Sequence, residues 1–321
     1  MNSTQPSWLW ITDPWNTLDH NNDTTLRLIK EALKDGIKQC WCDVKTIRLE
    51  TDQVRLDFHE VLEGTVLGPV QSGAPREFQQ IHYRTDPPVD LAYLHPLELL
   101  ALDTRSAPES STPTEFVNPL PILFMSNEKT EAATLKGLYP PCWVGSQKDA
   151  LIRFGKSQGR VVLKPLHQAQ SLGVELLDWR NPQSSQEAET LLKAASHSYT
   201  VPVLLQKYLE GIQQGEIRLW FLDGDLIGFV KKLPIKGDFR VNIDQGSVLI
   251  PCELNENEKS QVGKLATHLK KWKIRLAAVD LIDGYVTDFN FTSPGLITQM
   301  EKVLNDNLSR KIVDRLKTRW V

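Results

Sequence analysis

The chain has 321 residues, 40% hydrophobic and 24% charged, with 19 prolines and 18 glycines, which allows two or three small domains and excludes disorder over most of the length. A formal net charge of -3 gives no overall attraction to polyphosphate, so small-molecule partners are expected and nucleic acid is not. No segment approaches the roughly 20 apolar residues that span a bilayer, and MNSTQPSWLWITDPW has no basic leader, so no membrane association and a cytoplasmic location are expected.

In chain order, Trp8 to Thr12 reads as a buried strand ended by Asp13-Pro14. A helix follows, capped by Asp23, Thr24 or Thr25, with Leu26, Ile29 and Leu33 at helical spacing and Gly36 closing it. A second strand is expected near Gln39 to Val44, and this alternation implies a parallel sheet. Thr46 to Phe58 reads as a hairpin around Thr51-Asp52, Gly64 to Arg76 as a loop, and Ile81 to Arg84 as a strand before Asp86-Pro87-Pro88. Residues 107–113 read as a surface linker.

Helices are expected from Asn127 and after Ser146, and a strand over Arg160 to Leu166. Val203 to Lys207 and Ile217 to Leu222 read as an antiparallel pair, the second turning at Asp223-Gly224 into Leu226 to Lys231. Glu256 to Lys271 is an amphipathic helix, and Leu276 to Ile282 and Tyr285 to Phe291 form a hairpin around Asp283-Gly284. A helix near Leu296 to Leu304 and a basic terminal helix follow. Cys40, Cys42, Cys142 and Cys252 have no zinc-ribbon spacing and are expected as reduced thiols.

Two segments carry the chemistry. KKLPIKGDFRVNIDQGS, Lys231 to Ser247, is a strand end followed by a loop holding Lys231, Lys232, Lys236, Arg240 and Asn242, a set suited to phosphate oxygens or an acyl phosphate. Alone it fits a solvated basic loop better. VDLIDGYVTDFNFTSP, Val279 to Pro294, puts Asp288 and Asn290 on one face of a strand with Asp280 across the hairpin, three oxygen ligands of the kind magnesium takes beside nucleotide phosphates. Strand-terminal acids in turns are the bland alternative. Lys129 and Lys164 sit where each could reach phosphates, and backbone groups near Gln206 to Leu209 could read a base.

Taken in order, Ile11-Thr12-Asp13-Pro14, Arg84-Thr85-Asp86-Pro87-Pro88, Asn127-Glu128-Lys129, Leu163-Lys164-Pro165-Leu166, Gly237 to Asn242 and Asn290 to Pro294 resemble the prokaryotic glutathione synthetase family of the ATP-grasp superfamily. The resemblance implies an ATP-grasp fold, α/β with an α+β ATP-binding part, divided into a pre-ATP-grasp parallel-sheet domain (1–122), a lid domain (123–200) and a catalytic domain (201–321). It implies an ATP- and Mg2+-dependent carboxylate–amine ligase. ATP would be held by Lys129, Lys164, Gln206, Lys207, Tyr208, Leu209, Glu216 and Asn242, and metal by Asp280, Asp288 and Asn290. Arg240, Lys232 and Arg218 would serve the acyl phosphate, and Asp13, Arg84, Ser293 and Pro294 the substrate. A homo-oligomer is left open. The family's arginine is Lys232 here, its Glu-Ile-Asn is Asp288-Phe289-Asn290, and its glycine-rich lid is His167-Gln168-Ala169-Gln170-Ser171-Leu172-Gly173. Such a lid lacks the small residues that let backbone amides approach phosphate. A different peptide ligase, or a nucleotide-binding protein without turnover, are the alternative expectations.

Overall fold

The computed structural model describes residues 7–107, 113–235, 237–241, 243 and 246–320. β1 (Ser7–Thr12) is buried from Trp8 onward. Asp23 starts α1 (Thr24–Leu33) by accepting a hydrogen bond from Leu26 N at 2.8 Å, which satisfies one of the helix's open donors. β2 (Lys38–Asp43) lies parallel to β1, and β3 (Arg48–Glu50) and β4 (Gln53–Leu62) make the expected hairpin. The expected loop over residues 64–76 is mostly a strand, β5 (Val66–Gly73), antiparallel to β4. β5 pairs with β4 alone, and an edge strand tolerates Pro69 because its outer side needs no ladder donor.

β6 (Gln80–Tyr83) pairs parallel with β1. The sequence reading gave no element to α2 (Leu91–Arg105), which contains Pro96 and is apolar on more than one side. β7 (Glu115–Val117) completes a mixed sheet of order β3-β4-β2-β1-β6-β7, in which β1, β2, β6 and β7 are parallel. α3 (Leu120–Met125) ends before the helix expected at Asn127. A turn stands there instead, because the Asn127 side chain accepts from Lys129 N at 2.9 Å and competes with helical bonding.

β8 (Cys142–Gly145), α4 (Lys148–Gln158), β9 (Arg160–Pro165), β10 (Glu175–Asp178), α5 (Pro182–Ala195) and β11 (Val203–Lys207) build a four-stranded antiparallel sheet, order β10-β9-β11-β8, with its own core around Leu151, Leu163, Leu192 and Leu205. β12 (Glu216–Leu222), β13 (Asp225–Leu233), β14 (Val248–Ile250), α6 (Glu256–Lys271), β15 (Leu276–Ile282), β16 (Tyr285–Asn290), α7 (Ile297–Leu304) and α8 (Leu308–Leu316) build the third unit, a five-stranded antiparallel sheet of order β14-β13-β12-β15-β16. The expected β11–β12 pairing is not made. β12 is central in its sheet and takes β13 and β15 as neighbours, and a 3-10 turn over Glu210–Gln214 carries the chain from one sheet to the other.

The first and third units share cores, for example Leu9 and Ile11 with Phe221 and Phe289, and Trp10 with Trp220 and Ile312. The four-stranded sheet packs its interior separately. Among the described residues no helix is long and apolar enough to cross a membrane.

Candidate active site

A cavity of about 390 Å³ lies where the three sheets meet. Its floor is one face of the five-stranded sheet. Strand register sets Arg218 opposite Asp280 and Asp280 opposite Asp288, while Glu216 faces Lys232. The Asp283-Gly284 turn, both residues left-handed (φ 53 and 75), sets Ile282 opposite Tyr285 and Leu281 opposite Val286, and a β-bulge between Asp280 and Leu281 then shifts the register so that Asp280 stands opposite Asp288; a Cβ on Gly284 would stand 2.2 Å from Asn257 Nδ2.

Asp280 accepts from Arg218 Nε and Nη2 at 2.9 and 2.6 Å and pairs with Lys232 Nζ at 3.0 Å, which also meets Glu216 at 2.7 Å. Burial pushes the Asp280 carboxyl up, but the Arg218 and Lys232 charges overcome it and hold the group well below the usual carboxylate range. Burial disfavours the Arg218 charge, and Asp280 reverses that. Lys129 Nζ donates to Asp288 at 2.8 Å; burial opposes its charge and Asp288 restores it. Lys164 crosses from β9 to donate to Thr287 O at 2.7 Å, and burial lowers its pKa. Asn290 is two residues beyond Asp288 and donates to Ala278 O at 3.3 Å.

At one end the cavity narrows between Val162, Tyr208, Leu209, Ile212 and Ile282. Gln206 is 2% exposed there, and its Nε2 has no partner among the described residues. Arg160 lies over the Tyr208 ring at 4.3 Å. Lys207 is exposed at the same rim.

At the other end Arg84 is buried, donating to Thr25 Oγ1 and Pro294 O, both at 2.8 Å. Ser293 lines the cavity, while Asp13 stands behind it and accepts from Asp86 N at 2.9 Å. Surrounding protein and then Asp13 push the Asp86 carboxyl up to about 6. Sequence reasoning quoted Asp86 and Glu128 within motifs but gave neither a role. Both line the cavity, and Glu128 accepts three hydrogen bonds.

The basic loop is less convergent than its composition suggests. Lys232 points into the site, but Lys231, next along an alternating strand, faces a separate cavity with Asp283 and Asn257. Arg240 lines the site while pairing with Asp238 at 3.2 Å rather than with the buried acids. Asn242 and Lys236 lie outside the described residues. The loop of residues 167–173 covers the site with Ala169, Gln170 and Ser171, and Gln170 and Ser171 take left-handed φ of 55 and 61, as glycine would do without strain.

Magnesium suits the donor set. Asp280, Asp288 and Asn290 are hard oxygen donors on one wall, and Mg2+ needs only one or two protein carboxylates when phosphates and water supply the rest.

This arrangement of sheets recurs in solved enzymes. Vibrio cholerae D-alanyl-alanine synthetase A has a TM-score of 0.65 at 13% identity, over 98% of each chain. The ATP-grasp ligase PsnB has 0.62 at 16%, over 98% of this chain and 99% of that one. The fold is that of the ATP-grasp carboxylate–amine ligases. The family described as prokaryotic glutathione synthetase matches twice, its N-terminal domain over residues 7–108 and its ATP-grasp domain over 128–305. The chain belongs to that family. Glutathione synthetase of Prochlorococcus marinus (strain MIT 9313) is 29% identical, over 96% of this chain and 97% of its own. That of Synechocystis sp. is 28% identical, over 95% and 97%.

Proposed function

We propose that the chain is an ATP- and Mg2+-dependent ligase that joins γ-glutamylcysteine to glycine, releasing ADP and phosphate. The observation that carries this is the single wall bearing Asp280, Asp288 and Asn290 with Lys129, Lys164, Arg218 and Lys232 around it. The substrate assignment rests on the family and on relatives named glutathione synthetase.

The deep part of the site is balanced, with Glu128, Glu216, Asp280 and Asp288 against Lys129, Lys164, Arg218 and Lys232. Nucleotide binding is then an exchange of ion pairs. Lys129 turns to phosphate oxygens and releases Asp288, and Lys164 turns to them from Thr287 O; Asp288, Asp280 and Asn290 would then hold the metal. Mg2+ held by these residues would supply positive charge to neutralise charge developing on the phosphates during transfer. The substrate carboxylate attacks the γ-phosphorus and ADP leaves. The amine then attacks the acyl carbon, and phosphate departs. Arg240 and Lys232 serve the acyl phosphate, Arg218 orients Asp280, and Asn242, Gln206, Lys207, Tyr208, Leu209 and Glu216 serve the nucleotide. Arg84, Ser293 and Pro294, backed by Asp13, form the substrate end.

The division into residues 1–122, 123–200 and 201–321 accompanies this reading, with β11 joining the lid through its pairing to β9. A ligase for another peptide is the second reading. It is favoured by the carboxylates of Asp19, Asp23 and Asp86, which line the substrate end beside one sequestered arginine. Phosphate release from ATP and Mg2+ across a panel of dipeptides and amino acids tests both. Release that requires γ-glutamylcysteine and glycine supports the first, release with a different pair supports the second, and none with any pair overturns the ligase reading.

A further inference from the structure

Glu128 belongs to no ligand set in the reading above, yet its bonds are concentrated at one place. Its Oε1 accepts from Phe291 N at 2.7 Å, Thr292 N at 2.8 Å and Thr292 Oγ1 at 2.9 Å. The next residue, Lys129, reaches Asp288 at 2.8 Å. Two consecutive side chains therefore grip the strand on both sides of Asn290. Downstream, Pro294 O is held by Arg84 at 2.8 Å, so residues 288–294 are anchored at both ends and in the middle.

The gripping turn is itself fixed. Asn127 Oδ1 accepts from Lys129 N, and Asn127 Nδ2 donates to Leu166 O at the base of the lid loop, both at 2.9 Å. β16 ends at Asn290, and the peptides that follow have no strand partner; Asn118 Nδ2 holds Phe291 O at 2.7 Å, and the N–H groups of Phe291 and Thr292 remain to be directed. A carboxylate accepting two successive N–H groups supplies that constraint.

We infer that Glu128 is a positioning residue, whose carboxylate oxygen fixes the Phe291–Thr292 peptides and thereby aims Asn290 at the metal and Ser293 at the substrate. This rests on the ligase reading for the roles of Asn290 and Ser293, but the anchor itself does not. What the anchor needs is an acceptor oxygen at that point. The negative charge is secondary, and no proton transfer by Glu128 is involved.

Glu128→Ala and Glu128→Gln separate these possibilities, because glutamine keeps a carbonyl acceptor in the same place. Two measurements are made on the full chain. Amide hydrogen exchange at Phe291 and Thr292 reads the anchor, and calorimetry of ATP binding against Mg2+ concentration reads its consequence. Glu128→Ala is expected to speed exchange at both amides at least about tenfold and to raise the Mg2+ needed for half-maximal ATP binding about tenfold, with Glu128→Gln within about threefold of the parent in both. An alanine variant with an unchanged Mg2+ requirement overturns the inference. So does a glutamine variant as impaired as alanine, since charge or proton transfer would then be what matters. If Glu128→Ala does not fold, Thr292→Val removes one of the three bonds from the other side, and an unchanged Mg2+ requirement there has the same consequence. Failure of the parent protein to bind ATP with Mg2+ overturns the ligase reading, and the exchange measurement still decides the anchor.

Discussion

The β15–β16 hairpin and the loop over residues 167–173 face the same cavity and are built on opposite principles. In the hairpin every charged side chain that faces the cavity is tied to an opposite charge from another strand or turn, as Asp280 is to Arg218 and Lys232 and Asp288 to Lys129. The lid loop is held mostly through its backbone, by Val89 N donating to His167 O at 3.0 Å and Leu172 N to Ala169 O at 3.0 Å, with Leu172 itself 59% exposed. Ligand groups on the hairpin are preorganised by burial, so altering one disturbs the fold as well as the chemistry. Residues on the lid are replaceable in stability terms, and their effect falls on closure.

The sharpest test of that contrast is Asp280→Ala, which strands Arg218 in a buried site and leaves Lys232 paired with Glu216 alone. It is expected to destabilise by about 3–5 kcal/mol, measured by urea unfolding, with ATP turnover lost. A cost under about 1 kcal/mol would show that the hairpin charges are not interlocked. The same pairing gives an acid dependence. Because the folded carboxyl lies below its unfolded value, its contribution is fully present above the ordinary carboxylate range near pH 4 and is lost as pH falls below it. Asp280→Asn should therefore flatten the acid limb of stability.

Asn290→Ala should separate chemistry from stability on the same hairpin. One weak hydrogen bond to Ala278 O is removed, so unfolding should shift by about 1 kcal/mol or less, while Mg2+-dependent ATP binding is strongly weakened. ATP binding unaffected by the change would take Asn290 out of the metal set.

On the lid, Gln170→Gly with Ser171→Gly relieves two left-handed non-glycine conformations, each worth about 1–2 kcal/mol, and adds about 0.4–1 kcal/mol of unfolded-chain entropy at each site. Stability should rise by about 0–3 kcal/mol in total after that offset. The functional expectation is tighter coupling, with phosphate released approaching one per peptide formed, where the parent releases an excess. A parent already at one-to-one would show that side chains in this loop close the site as well as glycines do.

The smallest effect is expected at Asp86, which the cavity leaves exposed. Its folded pKa of about 6 lies above the ordinary value of 3.8, so the native state binds the extra proton and stability falls as pH rises from about 4 to 6. Asp86→Asn should remove that decline and gain a few tenths of a kcal/mol above pH 6, solvent access reducing the effect. A variant whose stability follows the parent across that interval would place the titration elsewhere.

Local chemistry made much of this legible. The helix over Glu256–Lys271 and the Asp283-Gly284 hairpin match the sequence reading because capping and turn residues act on neighbours, and Asp288 and Asn290 share a face by the period of two along a strand, while Asp280 comes opposite Asp288 through the bulge in the β15–β16 pairing. Hairpin partners and the parallel β1–β2 start were legible, but pairing between strands distant in sequence was not. β5 carries glycine and proline in a pattern typical of loops and becomes a strand only because β4 offers an edge, while β11 and β12 have strand-like sequences that do not say which sheet each joins. Lys231 and Lys232 look alike in sequence, and alternation on a placed strand sends one to the site and one away. Glu128 meets Phe291 across 163 residues of chain, a contact that no local pattern encodes. Sequence by itself determined the residue types and those elements whose caps, turns and periodicity are local, since these depend on forces within a few residues. The tertiary structure decided partners, facing and charge balance, because these depend on which distant strands share a core and which charges burial forces into contact.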